Sequence, residues 1–390
     1  MNRREFFQYA SLTPLVSSMP SVFAGDSSKN SKVRQKLARP ERIVLMVELK
    51  GGNDGLNTLV PFEDPLYYKL RPNIAIKNSR HLKGEMGINP YLKSLLDLWK
   101  DGDMACIQGV GYPNASRSHF HSSDIWESGN ANGKGNEGWI TQVLGSQKAQ
   151  TLNGIVLGDN NLGPMAGERG GSVAMLDSKE FLRQTKYLNK KNFDTSNDAL
   201  SHMLNVQNQV NLAADLIEEK LKGARPSPVH FPNSAFGRRL AQVDKMITNG
   251  MHLPVYKVTL DGFDTHANQR DVHNNLMNHL SQGLAAFTKS MKHHKLWDNV
   301  MIMTYSEFGR RVQENGSRGT DHGSGSVSLA LGGAVKGGLY GKAPSLEAKD
   351  LINGDLAHST DFRQLYATVA QRWWRKPNPW QNQHKPLIFV

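Results

Sequence analysis

Acidic and histidine residues lie in the polar segments that follow several apolar segments of this 390-residue chain. They are Asp54, Asp264, His266, Glu307, Asp321, His322 and His358. Because ligands of an open α/β sheet bind at the carboxyl ends of its strands, we expect these side chains to converge there. Carboxylates and imidazoles together suit Zn²⁺ or Mn²⁺, and the lack of thiolates argues against a structural zinc site. The sequence therefore predicts a divalent-metal site.

A site of this composition indicates displacement chemistry at phosphorus or sulfur. Carboxylates and histidines can hold two ions about 3.5–4 Å apart, which clamp the attacking and leaving oxygens of an in-line reaction. A single Asp after a strand is usually a turn residue, and a lone histidine is usually a satisfied polar residue. The prediction of a one- or two-metal site therefore depends on the joint pattern.

The elements that must position these residues are short apolar runs separated by helical patterns. The runs do not alternate with polar residues, which is typical of strands buried on both faces of a parallel sheet. They span residues 43–49, 104–110, 154–157, 255–260, 300–305 and 327–331. Helical periodicity is clearest from Gln269 to about His294 and also covers 90–100, 199–223 and 234–250. This order predicts an α/β fold with a mostly parallel central sheet and helices on both faces.

The chain is expected to form one large domain over residues 42–390. No internal repeat or sharp change of composition divides it. The region from about 160 to 235 departs most from the strand–helix pattern, since it is polar, contains several glycines and carries one long helix. We interpret it as an inserted helical region over the sheet.

Composition excludes several classes of protein. With 38% hydrophobic and 21% charged residues, the chain is neither disordered nor a coiled coil, a collagen or a disulfide scaffold. No run approaches the roughly 18 apolar residues of a membrane span. The net charge is +12, but the basic residues are scattered and no nucleic-acid fold signature is present, so we predict no nucleic-acid partner. A basic surface would attract anionic esters, and ordinary solubility explains the charge equally well.

The N-terminus is predicted to be a twin-arginine export signal covering residues 1–24. Arg3 and Arg4 precede two aromatic residues and a modestly apolar stretch, and Ala24 ends a segment of small residues. Residues 25–41 then read as a flexible basic leader. Cys106 is the only cysteine, so no intramolecular disulfide can form, which fits a chain exported already folded. We expect a periplasmic or secreted protein that engages the twin-arginine translocase during export.

Five blocks of this sequence resemble one known family. They are GGNDGLNTLVP at 51–61, RSHF at 117–120, FDTH at 263–266, SEFGR at 306–310 and GTDHG at 319–323. Their order is similar to that in the domain of unknown function 1501 family, which groups exported bacterial proteins within the alkaline-phosphatase-like superfamily. The resemblance covers roughly residues 42–372. It implies an alkaline-phosphatase-like α/β fold.

The resemblance also implies a ligand set. Asp54 matches the carboxylate that holds one metal, and the pair Asp321-His322 resembles an Asp-His ligand pair of the superfamily. Asp264 and His266 resemble the ligands of the other metal, although their spacing is short and Asp261 is an alternative carboxylate. His358 lies where a final histidine ligand is expected.

The same resemblance implies a Ser or Thr nucleophile at the start of the helix after the second predicted strand. A helix N-terminus stabilises both the alkoxide and the anion that it attacks. Ser118 is the first choice and Ser116 the second, with Arg117 or Arg310 as a clamp on the oxyanion. Ser118 is also an ordinary residue for a helix N-cap.

Two features depart from the superfamily pattern. Sulfatases use a Cys that is converted to formylglycine, whereas Cys106 lies inside a predicted strand and lacks the Cys-x-Pro-x-Arg motif, so that mechanism is not available. The strand at 300–305 ends in Ser306-Glu307 instead of Asp-His. Either Glu307 is a ligand, or the following Gly-rich loop folds back to deliver Asp321 and His322.

The sequence thus predicts an exported metal-dependent hydrolase of phosphate or sulfate esters, with an anionic small-molecule or polymer ester as substrate. The alternative is a non-catalytic periplasmic binding or structural protein that keeps the same fold.

Overall fold

The structure, a computed structural model, describes residues 42–133, 135, 137–145, 152–167, 171–186 and 198–390. The predicted signal at 1–24 and the predicted leader at 25–41 lie outside these residues. Among the described residues, no helix combines the length and the apolar character that crossing a bilayer requires.

Strands of the described residues form a large central sheet and a small one. In chain order they are β1 (Ile43–Lys50), β2 (Leu59–Pro61), β3 (Arg80–Lys83), β4 (Met86–Ile88), β5 (Met104–Gly111), β6 (Gly154–Leu157), β7 (Ser172–Met175), β8 (Val255–Asp261), β9 (Val300–Tyr305), β10 (Ser326–Leu331), β11 (Gly338–Tyr340) and β12 (Thr360–Asp361). The central sheet has the order β11-β5-β10-β9-β1-β8-β6-β7, with β12 also paired to β5. The small sheet has the order β2-β4-β3.

The central sheet is mostly parallel, as predicted. β1 lies between β8 and β9, parallel to both, and all of its residues except Lys50 are buried. This burial on both faces explains why its sequence does not alternate and is apolar from Ile43 to Leu49 except for Glu48, which pairs with the buried Lys257 of β8. All six predicted runs are strands, namely β1, β5, β6, β8, β9 and β10.

β10 is the exception to the parallel arrangement, because it pairs antiparallel with both β5 and β9. β9 runs towards the carboxyl edge of the sheet and β10 returns from that edge. The connection between them, residues 306–325, therefore stays at the edge where parallel strands present their ligands. This resolves the choice left open by the sequence, since the loop does fold back to the end of β9.

Ten α-helices are described, together with short 3₁₀ and π turns. The α-helices are α1 (Gly55–Thr58), α2 (Pro65–Leu70), α3 (Leu96–Asp101), α4 (His119–Ser128), α5 (Trp139–Leu144), α6 (Ser178–Thr185), α7 (Asp198–Leu221), α8 (Ala235–Thr248), α9 (Gln269–His293) and α10 (Phe362–Thr368). The 3₁₀ helices are Pro90–Leu95, Gly163–Met165, Trp297–Asn299 and Ala348–Asp350, and Val369–Trp373 is a π-helix. The predicted helix from Gln269 to about His294 corresponds to α9.

Helices cover both faces of the sheet, which confirms the predicted α/β architecture. On one face α8 and α9 contribute Leu240 and Leu284 to the same apolar cluster as Val258 of β8. On the other face α4 and α10 contribute Trp126 and Tyr366. The region predicted as an insertion supplies an edge strand of the sheet, β7, as well as helices α6 and α7.

Candidate metal centre

Three side chains offer ligand atoms that lie within 4.8 Å of one another at the carboxyl edge of the central sheet. They are His119, Asp264 and His322. His266 joins them, because its Nε2 lies 3.0 Å from Asp264 Oδ1 and 3.0 Å from His322 Nε2. We call these four residues the His₃Asp cluster.

Three separate segments deliver the cluster. Asp264 and His266 lie on the loop that follows β8, His322 lies on the loop from β9 to β10, and His119 is the first residue of α4. Gly51, at the end of β1, permits their close approach: it has φ +118°, and a Cβ there would overlap the backbone of Asp264. A residue with a side chain would therefore force the loop after β1 away from the loop after β8.

The tautomers of His119 and His322 are fixed by the partners of their Nδ1 atoms. His322 Nδ1 lies 2.8 Å from the carbonyl oxygen of Arg117, which only accepts, so this nitrogen carries the proton. His119 Nδ1 donates in the same way to the buried carboxylate of Glu307 at 2.9 Å. The Nε2 atom of each ring then faces Asp264, which is the arrangement found in histidines that bind a metal through Nε2.

His266 repeats this arrangement. Its Nδ1 lies 3.4 Å from Asp321 Oδ1, while its Nε2 faces Asp264 and the Nε2 of His322. Two nitrogens 3.0 Å apart cannot both carry protons without repulsion, and unprotonated lone pairs beside a carboxylate also repel. One proton between the two nitrogens satisfies their contact as a hydrogen bond, whereas a divalent cation bound by both nitrogens and the carboxylate would satisfy all three groups. Three imidazole nitrogens and one carboxylate form a donor set that suits Zn²⁺ or Mn²⁺.

Asp264 is held in its charged form. Burial acts to raise its pKa, but the hydrogen bond and the positive charge of the Arg310 guanidinium outweigh burial and lower that pKa to about 2. Arg310 Nη2 lies 2.6 Å from Oδ1, and the second oxygen, Oδ2, lies 3.4 Å from Nε2 of His119. The carboxylate is therefore anionic at neutral pH, with one oxygen oriented by Arg310.

Arg310 has a positioning role in place of the predicted clamp on substrate. Its side chain is fully buried, and it donates to Asp264 and to the backbone carbonyls of Gly52 (2.8 Å), Thr320 (2.9 Å), Phe263 (2.9 Å) and Gly51. These carbonyls belong to the loops after β1, β8 and β9. Each of its three nitrogens has an acceptor within the protein and the side chain is fully buried, so the guanidinium is not exposed to a substrate.

Asp54 lies outside the His₃Asp cluster, contrary to the predicted ligand set. It is the N-cap of α1, where it accepts from the amides of Leu56 and Asn57 at 3.1 and 3.3 Å. Arg71 Nη1 lies 2.6 Å from its Oδ2, and Gln269 donates to the same oxygen. Burial acts to raise the pKa of Asp54, but Arg71 outweighs it and lowers that pKa. Asp54 thus neutralises a buried arginine.

Three other predicted ligands occupy different places. Glu307 and Asp321 each contact a histidine of the cluster through its Nδ1 and orient the ring from behind. His358 lies beside Gly111 at the end of β5 and is not in the cluster. Among the described residues, no second group of three ligand residues comes together, so the structure provides one candidate metal centre instead of two.

The predicted nucleophiles lie next to the cluster in sequence. Ser118 is the exposed N-cap of α4, and its side chain makes no capping hydrogen bond. The hydroxyl of Ser116 accepts from the amide of Ser118 at 3.2 Å. Ser118 precedes the ligand His119 directly, and its hydroxyl is not needed to stabilise the helix.

Arg117 lies at the rim of the cluster. Its Nη2 donates to Asp355 Oδ2 at 2.7 Å, and Arg311 Nε lies 3.6 Å from the other oxygen of Asp355. Burial is the main influence on the Asp355 carboxyl and raises its pKa, against the effect of Arg117. Both guanidiniums stay more than one-third exposed. One buried carboxylate therefore accepts hydrogen bonds from Arg117 and lies within ion-pair distance of Arg311.

Sequence reasoning missed three of these residues, His119, Arg311 and Asp355. His119 lies in the block at 117–120, where the sequence resemblance assigns a role to Ser118, as a nucleophile, and none to His119. A histidine at the first position of a helix that follows a buried strand was the available signal. Asp355 gave none, because its role depends on two arginines that are distant from it and from each other in the chain.

The described geometry can be compared with known proteins. The model of a family described as "Protein of unknown function (DUF1501)" matches residues 103–385, well over half of the chain. The chain therefore belongs to this family. No curated protein matches the sequence.

Solved structures with similar folds share little sequence with the chain. A protein in the alkaline phosphatase superfamily from Vibrio parahaemolyticus is 10% identical, with 89% of this chain and 71% of that one covered and a TM-score of 0.39. A phosphonate monoester hydrolase from Silicibacter pomeroyi is 10% identical, with 89% and 76% covered and a TM-score of 0.38. The PsFucS1 sulfatase from Pseudoalteromonas sp. is also 10% identical, with 86% and 68% covered and a TM-score of 0.38.

Replacing Arg310 tests its positioning role. We expect Arg310→Met to lower the free energy of unfolding by about 3–5 kcal/mol, because it leaves Asp264 and several carbonyls without their donor. The matched variant Arg311→Met removes a partly exposed arginine next to it and should cost at most about 1 kcal/mol. Urea denaturation followed by circular dichroism measures both. Equal losses in the two variants would contradict the role assigned to Arg310.

Proposed function

We propose that this member of the DUF1501 family is a metal-dependent hydrolase of anionic esters, of phosphate in preference to sulfate. The observation that carries the proposal is the His₃Asp cluster, in which each Nδ1 contacts an acceptor and each Nε2 faces Asp264. Such outer partners are typical of histidines that bind a metal. The five sequence blocks that resemble the alkaline-phosphatase-like superfamily support the same chemistry.

A divalent cation held by these four side chains would supply Lewis-acid polarisation of an ester oxygen. The chain's own residues do the rest. Glu307 and the Arg117 carbonyl keep the rings of His119 and His322 in one orientation. Arg117 and Arg311, held by Asp355, place positive charge at the mouth, where it draws the anionic group of the ester towards the cluster.

Ser118 is the proposed nucleophile. Its hydroxyl is exposed at the N-terminus of the ten-residue helix α4, next to His119, where the helix stabilises negative charge. Attack of Ser118 Oγ on phosphorus would form an O–P bond and break the bond to the alcohol, which leaves with a proton. Water would then cleave the Ser118 ester, releasing phosphate and restoring the hydroxyl.

A non-catalytic periplasmic binding or structural role is the second candidate. One observation favours it: the described hydrogen bonds join neither Ser118 Oγ nor Ser116 Oγ to a residue of the His₃Asp cluster. Without a general base in contact, the serine hydroxyl would act as a nucleophile only after substrate binding brings it into position. The two candidate functions are distinguished by catalysis, because only the hydrolase would turn over an ester.

Removing one ligand tests the metal site. We expect wild-type protein to hold about one equivalent of Zn or Mn and His322→Ala to lose it, with at least a 100-fold fall in hydrolysis of 4-nitrophenyl phosphate. His358→Ala is the matched control and should change neither quantity. Inductively coupled plasma mass spectrometry and the chromogenic assay give the two readouts. The proposal fails if native protein holds no metal and every ester is inert.

Replacing the serines tests the nucleophile. Ser118→Ala should retain the metal and lose at least about 100-fold in kcat, because the attacking oxygen is gone while the ligands remain. Ser116→Ala should keep kcat within about threefold. If Ser118→Ala turns over as fast as wild type, the attacking group is not Ser118.

We also propose export through the twin-arginine pathway, with a periplasmic or secreted mature protein. The support is the arginine pair followed by aromatic residues and an apolar stretch within residues 1–24. Changing Arg3 and Arg4 together to Lys should leave the uncleaved precursor in the cytoplasm, since the translocase reads the arginine pair. Arg34→Lys, in the leader, should be exported normally. Cell fractionation and immunoblotting give the answer, and export of the Arg3/Arg4 variant at the wild-type rate would exclude this route.

A further inference from the structure

A cavity lies near the loop after β8, which carries Asp264 and His266 of the His₃Asp cluster. This cavity of about 610 Å³ opens between α8 and α9 at the carboxyl end of β8. Its lining includes Asp261, the last residue of β8. Only two residues separate Asp261 from Asp264, so their Cα atoms lie within about 11 Å of each other. One extended molecule can therefore occupy the cavity and the cluster together.

Arg239 is the cation of this cavity. Its Nη1 donates to the carbonyl oxygen of Thr259 at 2.7 Å. Gly158 leaves the space for the guanidinium, because a Cβ there would overlap its Nε, and the φ of +83° at this glycine disfavours any side chain. The side chain is thus seated in one orientation at the end of the sheet.

No carboxylate among the described residues forms an ion pair with Arg239. Asp261 lines the same cavity, but it is exposed and does not pair with the guanidinium. By contrast, the buried arginines Arg71 and Arg310 each bind a carboxylate of this chain. A half-buried, fixed guanidinium with free donors is suited to bind a sulfate or phosphate group from outside.

The remaining lining favours a hydroxyl-rich ligand. Asn278, His279 and Gln282 of α9 present amide and imidazole groups that can both donate and accept hydrogen bonds. Leu260 and Leu276 give the cavity a buried apolar wall. A few placed polar groups on an apolar wall are typical of a small-molecule site. A sugar ring matches both surfaces, since its hydroxyls meet the polar side and its C–H faces meet the leucines.

We propose that this cavity binds an anionic sugar unit adjacent to the ester that reacts at the His₃Asp cluster. The substrate is then a polyanionic saccharide, which carries sulfate or phosphate groups on successive units. This inference rests on the proposed hydrolase function and specifies its substrate class. In this proposal Arg239, which is not one of the candidate metal ligands, contributes its positive charge to substrate binding.

A binding measurement tests the proposal without requiring turnover. The probes are a sulfated hexasaccharide, a phosphorylated hexasaccharide and the unmodified backbone, titrated by calorimetry into the metal-loaded mature protein. We expect at least one anionic probe to bind wild type at least tenfold more tightly than the neutral backbone, and Arg239→Gln to weaken that binding about tenfold. The anion that binds more tightly identifies the natural group.

Arg238→Gln is the matched control. It removes the same charge from the neighbouring position of α8, where Arg238 is exposed and bonds to Asn233, and it should change the Kd by less than twofold. If Arg238→Gln and Arg239→Gln weaken binding of the anionic probes equally, the loss is explained by net charge alone, and the proposal is overturned. Wild-type affinity in Arg239→Gln, or equal affinity for charged and neutral probes, would overturn it too. Thermal melts of both variants show that each is folded.

Failure of this inference differs from failure of the proposed function. If wild type holds a metal and hydrolyses a small chromogenic ester, while Arg239→Gln binds the anionic probes as wild type does, the function stands and the cavity site is refuted. If wild type holds no metal and hydrolyses no ester, the proposed function is refuted. The cavity then has no reacting ester beside it, and the substrate assignment is refuted with the function.

Discussion

The ion pair between the buried Arg310 and the half-exposed Asp264 is the interaction on which the candidate site depends. One guanidinium joins the loops after β1, β8 and β9 by donating to four carbonyls and one carboxylate. A buried arginine is costly to desolvate, and here each of its three nitrogens has an acceptor. All three histidines of the cluster face Asp264. The contact between Arg310 and Asp264 therefore stabilises the loops at the sheet edge and also positions the carboxylate among the histidines.

Arg117 links the His₃Asp cluster to the charged residues beside it, because its backbone contacts His322 and its side chain pairs with Asp355. The Arg117 carbonyl orients His322, while the Arg117 guanidinium pairs with Asp355, which also attracts Arg311. The backbone of Arg117 thus orients the candidate ligand His322, while the side chain of Arg117 places a positive charge beside the cluster. Outer contacts of this kind determine which nitrogen of each imidazole remains free for a metal.

The sequence predicted the sheet better than it predicted the ligands. Continuous apolar runs identify strands buried on both faces, and all six were strands. β7 was not predicted, because its four residues begin with a serine and lie in the polar, glycine-containing region interpreted as an insertion. The direction of β10 could not be read from its residues, because antiparallel and parallel strands buried on both faces have the same composition. Asp264, His266 and His322 came together as expected from strand ends that meet at one edge.

The remaining ligand predictions could not be made from residue type alone. Asp54 and Asp264 both follow a strand, yet Arg71 neutralises Asp54 inside the fold, whereas Asp264 keeps an oxygen towards the histidines. The difference lies in partners that only the tertiary structure supplies. Glu307 was predicted as part of the site, and in the structure it accepts a hydrogen bond from His119, a candidate ligand, and orients that ring.

The most direct test of the central claim is metal-edge X-ray absorption on mature protein purified without chelator or added metal. We expect about one equivalent of Zn or Mn, with a first shell of nitrogen and oxygen at about 2.0–2.2 Å and outer scattering from at least two imidazole rings. A protein without bound metal, or a metal shell without imidazole, would contradict the His₃Asp cluster as a metal centre.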